Sequence, residues 1–225
     1  MIDIVDVSFA YDEYKILSQV SAQLETGQIV MLVGKNGTGK STLLRCIAGW
    51  SRPDEGHISV NNKLAHRHPR TYYDDLVFVP DTPDFYTTLT AWEHLQFIGE
   101  LHHLKDWQSR GENLLDTFQL IDHRDTFPFT FSRGMRYKLS LCLALLKEPQ
   151  FLLLDEPFGP LDDLAKLNLW HVLNEYIARN NSVLLSTHTI LPTTTPDLIW
   201  HLNNATLEIL NPDDTVNLSE LFDVE

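Results

Sequence analysis

At 225 residues the chain is long enough for one domain with a substantial core and room for an inserted subdomain. Its 17 Lys and Arg stand against 31 Asp and Glu, a net charge of −14, so it lacks the basic surface that a nucleic-acid partner requires. The two cysteines, Cys46 and Cys142, fall in apolar helical patterns and read as small buried residues of a reducing compartment.

The first residues, Met1-Ile2-Asp3-Ile4, carry neither the basic region nor the apolar stretch of a secretory leader. No apolar run anywhere approaches the ~20 residues of a membrane span, and the expectation is a soluble, intracellular chain. Ile2, Ile4 and Val7 begin a strand that ends near Phe9-Ala10-Tyr11, and Ile16-Leu17 with Val20, Ala22 and Leu24 suggest a second. Tyr11, just past the first strand, is placed where a ring can stack on a purine base, or it is a half-buried strand-end tyrosine. Glu25-Thr26-Gly27 turns the chain into Gln28 to Val33, a β-rich apolar run suited to a buried strand.

Directly after that run, Gly34-Lys35-Asn36-Gly37-Thr38-Gly39-Lys40-Ser41 matches G-x-x-x-x-G-K-[ST], the phosphate-binding loop. Thr42 to Gly49 continues with apolar residues at helical spacing and a glycine stop. Strand, loop and helix therefore arrive in the order a phosphate site needs. The glycines let successive backbone N–H groups converge on phosphate oxygens, and the helix aims its positive end at the same place. Lys40 supplies a point charge for the β- and γ-phosphates, and Ser41 offers its hydroxyl to Mg²⁺. Gly34 to Thr42 form the expected ATP-binding set.

Arg52-Pro53-Asp54-Glu55-Gly56 is a turn, His57 to Val60 alternates as a strand, and Asn61-Asn62 suits a tight hairpin at positive φ. His66 to Arg70 reads as an exposed basic loop. Its two histidines lack the further ligands of a metal site. Asp74 to Val79 returns to strand character and stops at Pro80. From there to about Gln150 the chain turns helical. Thr90 caps a helix from Ala91, with Glu93 at the capping-box position, and further helices are expected over Trp107–Leu120 and Met135–Leu146, separated by Pro128. Phe85-Tyr86, Leu89 and Trp92 either line a groove for another protein's helix or pack this block.

Phe151-Leu152-Leu153-Leu154 is purely apolar, as a central parallel strand would be, and it delivers Asp155 and Glu156 at its carboxyl end. Two carboxylates there are costly without a bound cation, and ligands of open α/β sheets sit at that edge. Asp155 suits the Mg²⁺ shell as the acidic partner of Ser41, and Glu156 suits a general base polarising the attacking water. After a helix from about Leu161 to Arg179, a second apolar strand from Ser182 to Thr187 ends in His188. Right-handed crossover logic sets it beside the Asp155-Glu156 strand, within reach of a γ-phosphate or the attacking water.

From Tyr11 to about Leu210 this order of parts resembles the nucleotide-binding subunits of ATP-binding cassette (ABC) transporters. The resemblance implies an α/β fold: a P-loop NTPase core with a small antiparallel N-terminal sheet (about residues 1–80 and 150–225) and a helical subdomain inserted over about residues 81–149. It makes Tyr11 the adenine-stacking aromatic, Lys40, Glu156 and His188 the catalytic residues, and Leu161-Asp162 the core of a loop touching a partner's site. Phe131-Ser132-Arg133-Gly134-Met135 is similar to the family signature and keeps its serine and second glycine. By resemblance, Ser132, Arg133, Gly134 and Met135 act in trans on ATP and Mg²⁺ held by a second cassette subunit, whether homodimer or heterodimer. The family pairs with a separate permease, so the chain is expected on the cytoplasmic face of a membrane.

Three departures stand out. Asp81 replaces the glutamine that usually ends the strand before the helical block, and is carried as a third Mg²⁺ candidate with Ser41 and Asp155. Arg133 and Met135 replace signature residues, a variant resembling subunits of ABC-2-type permeases, often exporters. Gly159-Pro160 stands in place of asparagine-glycine before Leu161-Asp162. Two other classes compete: a soluble ABC ATPase of translation or DNA repair, and a non-hydrolysing ATP-gated module. One cassette without heptads or paired cysteines argues against the first, and intact Glu156 and His188 argue against the second.

Overall fold

The computed structural model describes residues 1–188 and 195–212. β1 (Ile2–Tyr11) and β2 (Tyr14–Leu24) form a long antiparallel pair, joined on the other side of β1 by β4 (Glu55–Val60) and β5 (Lys63–Leu64) in the order β2-β1-β4-β5. Asn61 and Asn62, at φ 49° and 61°, make the tight β4–β5 turn, where positive φ matches the twist of the flanking strands. Pairing shifts along β1 and β2 coincide with Asp6 and Gln19 in the left-handed region, so this sheet is bent by bulges.

The second sheet is six-stranded and mostly parallel. β3 (Ile29–Val33), β6 (Leu76–Val79), β7 (Phe151–Leu154), β8 (Ser182–Thr187), β9 (Leu198–Asn203) and β10 (Thr206–Leu210) order as β10-β9-β3-β8-β7-β6, with only β10 antiparallel. Every residue of β3, β7 and β8 is buried, which is why β3 and β7 read as continuous apolar runs and β8 as Val183-Leu184-Leu185 between buried hydroxyl residues, with no polar face to alternate. Truncating one such side chain, Leu154→Ala for instance, would cost about 2–5 kcal/mol. Ser18 N–H donates to the Ala205 carbonyl and ties the smaller sheet to the edge of the larger one.

The helices are α1 (Lys40–Ile47), α2 (Pro69–Asp74), α3 (Ala91–Leu101), α4 (Trp107–Thr117), α5 (Arg133–Lys147) and α6 (Asp163–Ala178). Helices α3 to α5 lie between β6 and β7 in the chain and pack on one another through Leu95, Leu115, Leu139 and their neighbours. α3 opens with the expected capping box, Glu93 N–H on Thr90 Oγ1 (3.2 Å) and Thr90 N–H on Glu93 Oε2 (2.7 Å). Two expectations need correction, and one open alternative is decided. The basic loop of His66 to Arg70 runs into α2, begun by Pro69 and anchored by buried Tyr72. Helix α4 stops at Thr117, because Gln119 takes φ 58° and turns Leu120 into the core. Trp92 faces inward, with its ring on Trp107 and the Arg124 guanidinium 4.1 Å above it, so it packs the helical block.

Candidate active site

The parallel sheet sets the site. β8 is paired with β3 on one side and β7 on the other, so the segments after Val33, Leu154 and Thr187 emerge together at one edge. The loop after β3 is confined on both flanks: a Cβ on Gly34 would fall 2.4 Å from the Leu202 carbonyl, and one on Gly39 would fall 2.7 Å from Ile16 Cγ2. Gly39 also takes φ 106°, which a larger residue adopts only under strain. Thr38 donates through N–H (3.3 Å) and Oγ1 (3.0 Å) to the Lys35 carbonyl, closing the Lys35-Asn36-Gly37-Thr38 turn on itself. Lys40 is buried, and its Nζ donates to the carbonyls of Gly34 (2.7 Å) and Lys35 (3.2 Å). No side chain caps α1, so its first N–H groups are left for an anion.

Asp155 is buried at the end of β7. Its Oδ1 accepts from Ser41 Oγ (3.0 Å) and from Ser186 Oγ (2.6 Å), and its carbonyl accepts from the Tyr137 hydroxyl (3.2 Å). Burial first, then the carboxylates of Asp155, Asp81 and Glu156, push the Tyr137 phenol well above its ordinary range, which keeps it a donor. Glu156 takes φ 47°, a left-handed conformation that costs a non-glycine residue about 1–3 kcal/mol. Its N–H donates to Ser186 Oγ (2.9 Å), which holds that turn. The turn divides the carboxylate between two partners, Oε1 at 3.5 Å from Lys40 Nζ and Oε2 at 2.8 Å from His188 Nδ1. The structure thus brings together Lys40, Ser41, Asp155, Glu156 and His188. Thr42 is buried one residue further along α1.

Tyr11 is 46% exposed, with its ring edge-on to Phe9 at 4.9 Å. It pairs with Tyr14, and Ile16 of the same strand touches the loop at Gly39, so the ring stands near the mouth of the loop. The signature residues lie elsewhere. Ser132 caps α5, its Oγ accepting from Met135 N–H (3.2 Å). Gly134 backs onto the Pro160 carbonyl, and Arg133 Nη2 sits 2.6 Å from Asp81 Oδ1. The Asp81 carboxylate is therefore engaged by a guanidinium, while Ser41 and Asp155 meet each other.

A hydroxyl and a carboxylate suit Mg²⁺, which takes few protein ligands and completes its shell with phosphate oxygens and water. Among the described residues no cluster of three or more His, Cys, Asp or Glu is arranged to hold a metal ion by itself. Burial raises both thiols, Cys46 to about 12, which suits small core residues. Sequence reasoning missed Ser186, Tyr137 and Lys138. Lys138 is a buried lysine inside an apolar helix run, itself a signal, and it pairs with Asp162 at 2.8 Å.

Beside this edge lies a groove of about 430 Å³ whose lining includes Trp50, Phe78, Phe85, Ile98 and Leu143 together with Arg45 and Lys147. Tyr86 is exposed and packs against Phe97 and His94. Leu89 does not line the groove, and neither does Trp92. No helix among the described residues is long and apolar enough to cross a membrane.

A glycine-bounded loop between a buried parallel strand and an uncapped helix, facing a strand-end aspartate, defines a P-loop nucleotide-binding protein. Residues 17–159 match the family model described as ABC transporter, and the chain belongs to the ATP-binding subunits of that family. It is 37% identical to the ABC-type transporter ATP-binding protein EcsA of Bacillus subtilis (strain 168), over 84% of this chain and 77% of that protein. A solved ATP binding subunit of an ABC transporter superposes with a TM-score of 0.89 at 33% identity, covering 100% of this chain and 95% of the other. The dimeric, ADP- and Pi-bound ATP-binding cassette MJ0796 superposes with a TM-score of 0.82 at 21% identity, covering 94% and 99%, and shares the fold. Other relatives carry names of exporters and of importers alike.

Proposed function

We propose that the chain hydrolyses ATP in a head-to-tail pair of cassettes and drives export through a separate permease, from the cytoplasmic face of the membrane. The observation that carries this is the run Lys40–Glu156–His188, at 3.5 Å and 2.8 Å, beside the Ser41–Asp155 pair. Tyr11 stacks on the adenine. The Gly34–Thr42 loop and the start of α1 hold the phosphates, with Lys40 on the β- and γ-oxygens. Ser41 and Asp155 would hold Mg²⁺, which would neutralise charge on the phosphate oxygens. Glu156 takes the proton of the attacking water, and His188 orients that carboxylate and reaches toward the γ-phosphate. Asp81 would be a third candidate to hold the ion once its bond to Arg133 is released.

Ser132 and Gly134 cover the γ-phosphate of the opposite cassette, so ATP joins the pair and hydrolysis releases it. The residues 81–149 form the helical subdomain of a single cassette, and its apolar groove beside Phe85 receives a permease helix. The Ser132-Arg133-Gly134-Met135 variant favours export. In the test, Glu156→Gln binds ATP, releases phosphate very slowly, and accumulates as an ATP-dependent dimer by size-exclusion chromatography. A variant that stays monomeric at high concentration counts against a homodimer and leaves a different cassette as the partner. Sedimentation with membrane vesicles, reversed by detergent, tests the permease; a chain that never sediments argues against it.

A further inference from the structure

Two of the three departures from the family pattern, at positions 81 and 133, touch each other. Arg133 is the first residue of α5, between Ser132, which caps the helix, and Gly134. One guanidinium nitrogen meets one oxygen of Asp81 at 2.6 Å, with the arginine side chain 63% exposed and the aspartate 38%. We propose that Arg133 is a cationic contact to the γ-phosphate of ATP held by a second copy of this chain, and that Asp81 parks it until that ATP arrives. The inference rests on the head-to-tail reading above.

Three features carry it. Ser132 and Gly134 flank Arg133 on one helical turn, so any ligand they reach lies within the span of the arginine side chain. The contact with Asp81 uses a single oxygen and faces solvent, and such pairs hold weakly. A terminal phosphate carries more charge than one carboxylate and accepts the guanidinium fork through two oxygens, so it outcompetes Asp81 for this donor. A guanidinium delivered from a neighbouring subunit is a general means of stabilising charge on a transferring phosphoryl group. Lys138, one turn further along α5, behaves differently: its side chain is only 10% exposed and is paired with Asp162, so the helix stays anchored while Arg133 swings.

The test is an ATP titration with Mg²⁺ in the Glu156→Gln background, reading the nucleotide concentration at half-dimerisation by light scattering. Arg133→Gln raises that concentration roughly tenfold, the effect of losing one charge-assisted bond. Arg133→Lys recovers part of the loss. Asp81→Asn lowers the concentration, because the parking partner is gone. The double variant is as weak as Arg133→Gln alone. Opposite signs for the two single variants separate this from a purely structural clasp, in which both would weaken the dimer alike. Fluorescent-nucleotide binding and melting of the monomer check that each variant folds. A dimer insensitive to Arg133→Gln, or weakened by both single variants, overturns the inference and leaves the head-to-tail reading standing. A Glu156→Gln chain that stays monomeric at every ATP concentration overturns both.

Discussion

Asp155 and Asp81 follow neighbouring parallel strands, β7 and β6, at the same edge of the sheet, yet they live in different chemistry. Asp155 is 3% exposed and accepts two serine hydroxyls, while Asp81 is half out in solvent and has a guanidinium as its partner. The donors on Asp155 are neutral hydroxyls, whereas the donor on Asp81 is a cation. The charge of Asp81 is already answered. Two aspartates at neighbouring strand ends thus meet unlike partners. The helix facing each one supplies a hydroxyl in the first case and a cation in the second.

The difference is broken most severely by Asp155→Ala, which should lower Mg²⁺-dependent turnover by at least ~10²-fold, through loss of the charge that holds the ion. Asp81→Ala in the same steady-state phosphate assay should stay within about tenfold of the parent, because an exposed paired carboxylate contributes little. Equal losses would put both aspartates on the ion. Next in size, Tyr11→Ala should weaken ATP and GTP alike by roughly 1–3 kcal/mol in equilibrium binding, with Tyr11→Phe nearly silent. Unchanged affinity would make the ring structural.

The helical side of the comparison is sharpened at Thr90, whose replacement by alanine removes the α3 cap and should cost about 1 kcal/mol in a denaturant melt. Acid acts on the same turn. His94 accepts the Tyr86 N–H on Nε2 (3.0 Å) and donates from Nδ1 to the Thr90 carbonyl (2.7 Å), and burial lowers its pKa below the usual 6.5. Its contribution is complete above pH 6.5 and is lost as pH falls through the lowered value, so melts should weaken on the acid side and His94→Gln should flatten that limb. The smallest effect is expected for Arg133→Gln on monomer stability, under about 1 kcal/mol, since the pair faces water. A larger drop would mean that the pair holds the fold.

Much of this was legible because it is local. Phe151 to Leu154 and Ser182 to Thr187 announce buried strands by apolar runs, and Thr90 with Glu93 announces a cap, since each signal is complete within a few residues. The core of the site follows, because Ser41, Asp155 and His188 each sit beside a strand end that the parallel topology must bring together. What escaped was tertiary. Asp81 and Arg133 are 52 residues apart, and nothing in either segment names the other. Ser186 looked like one more residue of a buried strand, and its bond to Asp155 appears only when β7 and β8 pair. Helix α2 is six residues long, too short to show a period, and Trp92 follows Phe85 and Tyr86 in sequence while turning to the other side of α3.

The contact between Gly134 and the Pro160 carbonyl, where an added Cβ would lie 2.7 Å from the oxygen, limits how this motif can drift. Position 133 has room for a long cation, since that side chain is 63% exposed and meets Asp81 through a single nitrogen. Not even a methyl group fits at position 134 without moving the Pro160 segment within its own subunit. The two adjacent positions thus carry unlike constraints, one open to what it can reach and the other closed by what already touches it. A mutational scan across generations of this gene would therefore tolerate the first and purge the second before any partner subunit is involved.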